Sequence, residues 1–204
     1  MRHAGVVIQV RDAVIDDADA LATAHIDGWR VGYRGVVPDE YLDAEEFATS
    51  RRDRWRAWSW QAALPDSRMF VVTIQGRVVG FAHAGPEQPD PTVTPIGTPT
   101  VQPDRPTTTD GPRRGEVYGF YLHPSAWGSG AAAALMSRCE EFLRDEGYVS
   151  ASLWVLRDNP RALAFYEKAG WHFTGTESMF SPSDPPDSPL PRLQYLVREY
   201  EVRL

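Results

Sequence analysis

The chain has 204 residues, 42% apolar and 24% charged, with a formal net charge of −7. That length suits one domain of ordinary size, and the apolar share excludes wholesale disorder. The acidic balance argues against nucleic acid as a partner, which needs a basic footprint. No apolar run approaches the ~20 residues of a membrane helix, and the opening MRHAGVVIQV lacks the apolar stretch of a secretion signal, so a cytoplasmic protein without a membrane partner is expected. The single cysteine, Cys139, excludes an internal disulfide and a thiolate-rich zinc site, and no metal is expected. Lys168 is the only lysine, so a side-chain contact to phosphate must come from arginine, histidine or a hydroxyl.

Val6–Val10 is a short β-branched run that predicts a first strand. Asp16 then predicts a helix start as N-cap, with Asp19 in the capping-box position. Ala18, Leu21, His25 and Trp29 follow at helical spacing and form one apolar face. Met69–Ile74 and Val78–Ala84 flank Gln75-Gly76-Arg77, the pattern of a hairpin. From Pro86 to Pro112 the chain is rich in proline and threonine without apolar periodicity, which predicts a long mobile insertion at 86–113. Glu116–Leu122 predicts a strand, Ala131–Glu146 a helix closed by Gly147, and Ala151–Leu156 another strand. Pro160–Lys168 predicts a helix with Gly170 beyond it, Trp171–Thr174 a strand, 181–191 a Pro-rich loop, and Arg192–Val202 a last strand. The order implies one α/β domain over residues 1–204, built on a mixed sheet.

Two stretches carry chemistry. In YGFYLHPSAWGSGAAAAL (118–135) a strand runs into a glycine loop that opens a helix. Gly128 and Gly130 permit tight turning, and the free first-turn N–H groups with the helix dipole suit a pyrophosphate. The Ala131–Ala134 run keeps that helix thin, and the absence of a following Gly-Lys-Ser/Thr excludes a nucleotide-triphosphate loop. In the second stretch, Asn159 precedes Pro160 at a helix start and Tyr166 lies two turns on, so the two project from nearly one side. A plain N-cap and a half-buried core tyrosine would also account for that pair.

Together these stretches resemble the GNAT superfamily of acyl-CoA-dependent N-acetyltransferases of bacterial type. The resemblance rests on His123-Pro124, Trp127-Gly-Ser-Gly130, Leu135, Asn159-Pro-Arg-Ala-Leu-Ala-Phe-Tyr166 and Gly170-Trp171. The segment from Trp29 to Leu42 also resembles the acceptor-side helices of that family. The resemblance implies a mixed, mostly antiparallel sheet of about six or seven strands with helices on both faces. It implies acetyl-CoA as co-substrate and an amine, small-molecule or peptide, as acceptor, with a homodimer left open. The family's phosphate signature falls on Trp127, Gly128, Ser129, Gly130, Ala131 and Ala132, where Trp127 stands in place of the usual arginine or glutamine. Phe120, Tyr121 and Leu122 would splay from the Ala151–Leu156 strand and bind acetyl and pantetheine groups through their main chain. Asn159 would contact the pantetheine arm and Tyr166 would sit near the sulfur.

The implied reaction is direct attack by a neutral amine on the thioester, without a covalent enzyme intermediate. Tyr166 is the candidate general acid and Glu116 the candidate base, the latter also at the acceptor side; an edge-of-strand solvated charge is the other reading of Glu116. Trp29 and Tyr33, four apart, would wall the acceptor pocket or else join the core. His123 is a weaker base candidate, and His25 reads as a packed core histidine. Cys139 lies on the apolar stripe of its helix and is expected to be buried. A catalytically silent acyl-CoA-binding module, regulatory in role, is the alternative to the enzyme.

Overall fold

A computed structural model describes residues 6–58, 66–88, 112–182, 184 and 187–204. Seven strands form one sheet: β1 (Ile8–Asp12), β2 (Arg68–Ile74), β3 (Arg77–Pro86), β4 (Arg114–Leu122), β5 (Ser150–Leu156), β6 (His172–Phe180) and β7 (Tyr195–Arg203). Their spatial order is β1-β2-β3-β4-β5-β7-β6, and every pairing is antiparallel except β4 with β5. Alternation along β2 separates two cores. Phe70 and Val72 pack with helix α4 (Ala131–Asp145) and α5 (Pro160–Lys168), whereas Val71 packs with α1 (Ala18–Gly32), α2 (Asp39–Asp43) and α3 (Glu45–Ala57). Helices therefore cover both faces.

Local sequence explains most of these elements. The β2–β3 hairpin turns on Gln75 and Gly76, both with positive φ, the backbone hand that matches the twist of the flanking strands. Helix α4 consists almost wholly of good helix formers and buries Leu135, Met136, Cys139, Phe142 and Leu143 along one face. Complete burial of Leu135 contributes about 2 kcal/mol. Asn159 caps α5, its side-chain oxygen accepting the Ala162 N–H at 3.2 Å, and Pro160 fills the first helical position.

Some boundaries differ from expectation. The first strand is Ile8–Asp12 rather than Val6–Val10, because Ile8 and Val10 face α4 while Val6 and Val7 remain exposed. Asp16 does not cap α1. A 3₁₀ turn at Ile15–Asp17 precedes the helix, and Asp17 turns its carboxylate back to the Val14 N–H and to Arg11 at 2.7 Å. β6 extends to Phe180, well past Thr174, because after an irregularity between Phe173 and Glu177 it pairs with β7 again as far as Phe180. β7 begins at Tyr195, leaving Leu193 outside the strand. The Pro/Thr insertion falls at 89–111, outside the described residues, as do 183, 185 and 186 of the second loop. Its flanks are described and engaged: Glu87 pairs with Arg114 at 2.8 Å, and the Arg113 carbonyl accepts the Val149 N–H. β3 and β4 are antiparallel neighbours with Pro86 opposite Gly115, so the insertion leaves the sheet at the end remote from Leu122.

Candidate active site

The parallel pairing of β4 with β5 stops at Val117 and Leu153. Beyond that point the strands diverge, and the β5-facing main-chain groups of β4 have no strand partner. A cleft of about 370 Å³ fills the gap, bordered by β4, β5, α1 and the starts of α4 and α5. Opposite His83, β4 carries a bulge at Tyr118. The extra residue puts Val117 and Phe120, three apart, on the same α4 side and sends Tyr121 to the α1 side. Gly28 brings α1 close to this strand: a Cβ there would lie 3.2 Å from the Leu122 carbonyl oxygen.

At one end of the cleft stand Trp127, Gly128 and Ala132. Gly128 has φ +76 with no atom within 4 Å of where a Cβ would point, so it presents bare backbone to open space. Ser129, Gly130 and Ala131 do not line the cleft. The Ser129 hydroxyl donates to the Ala126 carbonyl and accepts the Ala131 N–H at 3.2 Å, so that amide already has a partner. Over Trp127, which stands in place of arginine or glutamine, the Arg161 guanidinium lies 3.9 Å from the centre of the ring and borders the same cleft. That end of the cleft thus has a positive side chain, supplied by α5.

In mid-cleft are Phe120, Tyr121, Leu122, Asn159 and Tyr166. Tyr166 is 7% exposed and packed among Phe120, Phe165, Trp171 and Tyr200. Burial pushes its phenol far above the ordinary tyrosine value, so it keeps its proton at neutral pH. Glu116 is 6% exposed. It lies on a central strand, which rules out the solvated-edge reading. Burial raises its pKa to about 7, against the Gln88 N–H that donates to Oε2 at 2.7 Å; the nearby charges of Glu87 and Glu199 raise it further.

The α1 side completes the cleft. Trp29 and Tyr33 both line it, with ring centres 4.7 Å apart, and the Tyr33 hydroxyl faces Asn159 and Tyr121. His25 is packed, as expected: its Nδ1 accepts the Trp55 indole N–H at 3.2 Å, and burial, then Arg51 and Arg54, hold its pKa well below the ordinary value. His123 is outside the cleft, with Nε2 3.3 Å from Asp27 and Nδ1 on Ser125. Cys139 is fully buried and its thiol is pushed up by burial, which leaves it inert. Among the described residues no three His, Cys, Asp or Glu side chains gather as a metal ion would require. No helix among them is long and apolar enough to cross a membrane.

The family model for the acetyltransferase (GNAT) family matches residues 33–171. The chain belongs to the GNAT acetyltransferase family. An uncharacterized N-acetyltransferase of Bacillus subtilis (strain 168), YuaI, is 29% identical over 162 residues, 79% of this chain and 78% of that protein. A mycothiol acetyltransferase of Parafrankia sp. (strain EAN1pec) is 30% identical over 150 residues, but these are 67% of this chain and only 44% of that protein. The PaiA N-acetyltransferase of Thermoplasma acidophilum, crystallised with coenzyme A, shares the fold with a TM-score of 0.62 at 16% identity, covering 97% of this chain and 99% of that one. A GCN5-related N-acetyltransferase from Kribbella flavida gives 0.57 at 20% identity, covering 97% and 98%. The seven-stranded mixed sheet is therefore the GNAT fold.

Three cleft residues of this GNAT chain escape a reading of its motifs: Arg161, Arg51 and Arg54. Arg161 adjoins the Asn159 cap and could have been found by asking which side chain takes the place of the arginine or glutamine missing at Trp127. Arg51 and Arg54 sit in the run RRDRWR, three apart and so on one helical face, a spacing that marks them as a pair.

Proposed function

We propose that this protein is an N-acetyltransferase that moves the acetyl group of acetyl-CoA to a primary amine by direct attack within a ternary complex. The observation that carries the reading is the meeting, in one cleft between splayed β4 and β5, of a buried carboxylate with a pKa about 7 and a phenol that stays protonated. The bare backbone at Gly128, the first turn of α4 and the Arg161 guanidinium suit the pyrophosphate of CoA; Asn159 and the unpaired edge of β4 suit its amide-bearing arm. The fold shared with a CoA-bound relative supports the same assignment.

Glu116 takes a proton from the acceptor ammonium, directly or through water, and so delivers a neutral amine. The amine nitrogen bonds to the thioester carbon, main-chain N–H groups of β4 stabilise the negative oxygen, and the carbon–sulfur bond breaks. Tyr166 gives its proton to the departing thiolate and is reprotonated, through water, by the proton that the acylated nitrogen sheds, while Glu116 returns its own proton to solvent. Trp29 and Tyr33 wall the acceptor's side, and the acceptor is a small molecule or a peptide N-terminus. The test is calorimetric CoA binding followed by thiol release from acetyl-CoA with a mixed amine panel. CoA binding with amine-dependent release is expected. Binding without release from any amine would favour a silent acyl-CoA-binding module, and no binding would remove the reading altogether.

A further inference from the structure

We propose that Gln88 is the positioning residue of the base: its main-chain N–H, anchored by the bulge at Tyr118, holds one oxygen of Glu116 and leaves the other to meet the acceptor amine. The proposal rests on the acetyltransferase reading and adds a residue that acts through Glu116. The Gln88 N–H donates to Glu116 Oε2 at 2.7 Å, the one hydrogen bond to this carboxylate among the described residues. Oε1 is thus the oxygen left for a proton. Glu116 borders the cleft and Gln88 does not, so Gln88 is placed to aim the base rather than to touch the substrate.

The donor is itself tied down. The Gln88 side-chain amide donates to the Pro86 carbonyl at 3.1 Å and to the Tyr118 hydroxyl at 3.3 Å, and that hydroxyl donates to the same carbonyl. Tyr118 is the extra residue of the β4 bulge, and Gly85, the β3 partner of Glu116, makes room for it: a Cβ on Gly85 would lie 2.6 Å from the Tyr118 hydroxyl. Glu87 receives Arg114 at 2.8 Å and the hydroxyl of Ser152, the β5 partner of Glu116, at 3.3 Å, while its own N–H donates to the Arg114 carbonyl at 3.1 Å. The chain leaving β3 is therefore fastened to β4 and β5 beside Glu116.

A glutamate side chain rotates about three bonds, and one short hydrogen bond from fixed backbone removes that freedom before the amine arrives. The same N–H favours the charged carboxylate. It opposes burial, which favours the proton, as do the charges of Glu87 and of Glu199 on β7; Arg114 favours the carboxylate as well. His83, its ring 4.8 Å from that of Tyr118, is kept neutral by burial and adds no charge. The N–H of Gln88 thus both aims the base and eases the release of its proton.

The test combines NMR with pH profiles. In the unaltered chain, labelled with ¹⁵N-glutamine, the Gln88 amide proton should move downfield as Glu116 ionises, with the midpoint of the kcat/KM profile, and that titration should vanish in Glu116→Gln. Gln88→Pro has no N–H to give, so the kcat/KM midpoint should rise by roughly half a unit to one unit, a loss of roughly three- to tenfold at pH 6, with CoA affinity preserved. Gln88→Ala keeps the N–H and should move the midpoint less. Should Gln88→Pro fail to bind CoA, the amide titration of the unaltered chain decides. A Gln88 amide proton blind to Glu116, or a midpoint that Gln88→Pro leaves in place, overturns the proposal. Absence of thiol release with every amine overturns instead the acetyltransferase reading beneath it.

Discussion

Glu116→Gln should stabilise the protein at pH 8 and abolish its activity there. The glutamine keeps an oxygen for the Gln88 N–H and nearly the same volume, but carries no charge to desolvate. An ordinary glutamate titrates near 4.5, and burial moves Glu116 to about 7. Between those values the folded chain retains a proton that the unfolded chain has released. Stability therefore falls as pH rises through that window and stays low above it. The gap corresponds to about 3 kcal/mol at pH 8, or roughly 6–12 °C in Tm for a chain of this size. At pH 4.5 the variant and the original should melt together within a degree or two. Melting curves at both pH values measure the effect. In parallel, kcat/KM of the unaltered enzyme should rise with pH through about 7 and level off, the behaviour of a base that must lose its proton first. A pH-independent difference in Tm, or a variant no more stable at pH 8, would refute the buried-carboxylate argument.

Other substitutions address the remaining parts of the cleft. Tyr166→Phe retains the ring packing and removes the proton, so turnover should drop roughly 10²–10⁴-fold with CoA affinity preserved, as separate kinetic and calorimetric measurements would show; undiminished turnover would mean that the thiolate leaves unaided. At Gly128 a valine would confuse two effects, because φ is +76 and any β-carbon costs about 1–2 kcal/mol there. Gly128→Asn, a residue that tolerates this backbone, should keep the fold and weaken CoA tenfold or more, and unchanged affinity would remove this turn from the site. Replacing residues 89–111 by a short Gly/Ser linker should alter stability by about 1 kcal/mol or less and leave CoA binding intact. A wider excision, from Glu87 to Arg113, should be more damaging, since it removes the Arg114 partner and the N–H that fixes Glu116.

Short-range chemistry was the legible part of the sequence. The Gln75-Gly76 turn, the Gly128 loop opening α4 and the Asn159–Pro160 cap each depend on a few neighbouring residues, and each stands where the pattern puts it. Strand ends were less legible because partners define them: β6 reaches Phe180 only because β7 lies beside it. The bulge at Tyr118 was invisible, since it is a mismatch in length between β3 and β4 rather than a property of either. Glu116 could be marked as a carboxylate of interest, but its raised pKa arises from burial and from Glu87 and Glu199, which the fold brings in from both sides of the chain. Arg51 and Arg54 lay in a charged run that resembles any solvated helix face. Only the packing of α3 against α1 turns that face inward.

The most direct test of acetyl transfer is to follow label from [acetyl-¹⁴C]acetyl-CoA. Incubation with the protein and the mixed amine panel should place the label on the nitrogen of an acceptor, in step with the free thiol released. Both should be lost together in Tyr166→Phe and Glu116→Gln. Label that stays on CoA with every acceptor, although CoA binds, would contradict the account and leave a cleft that binds an acyl-CoA without using it.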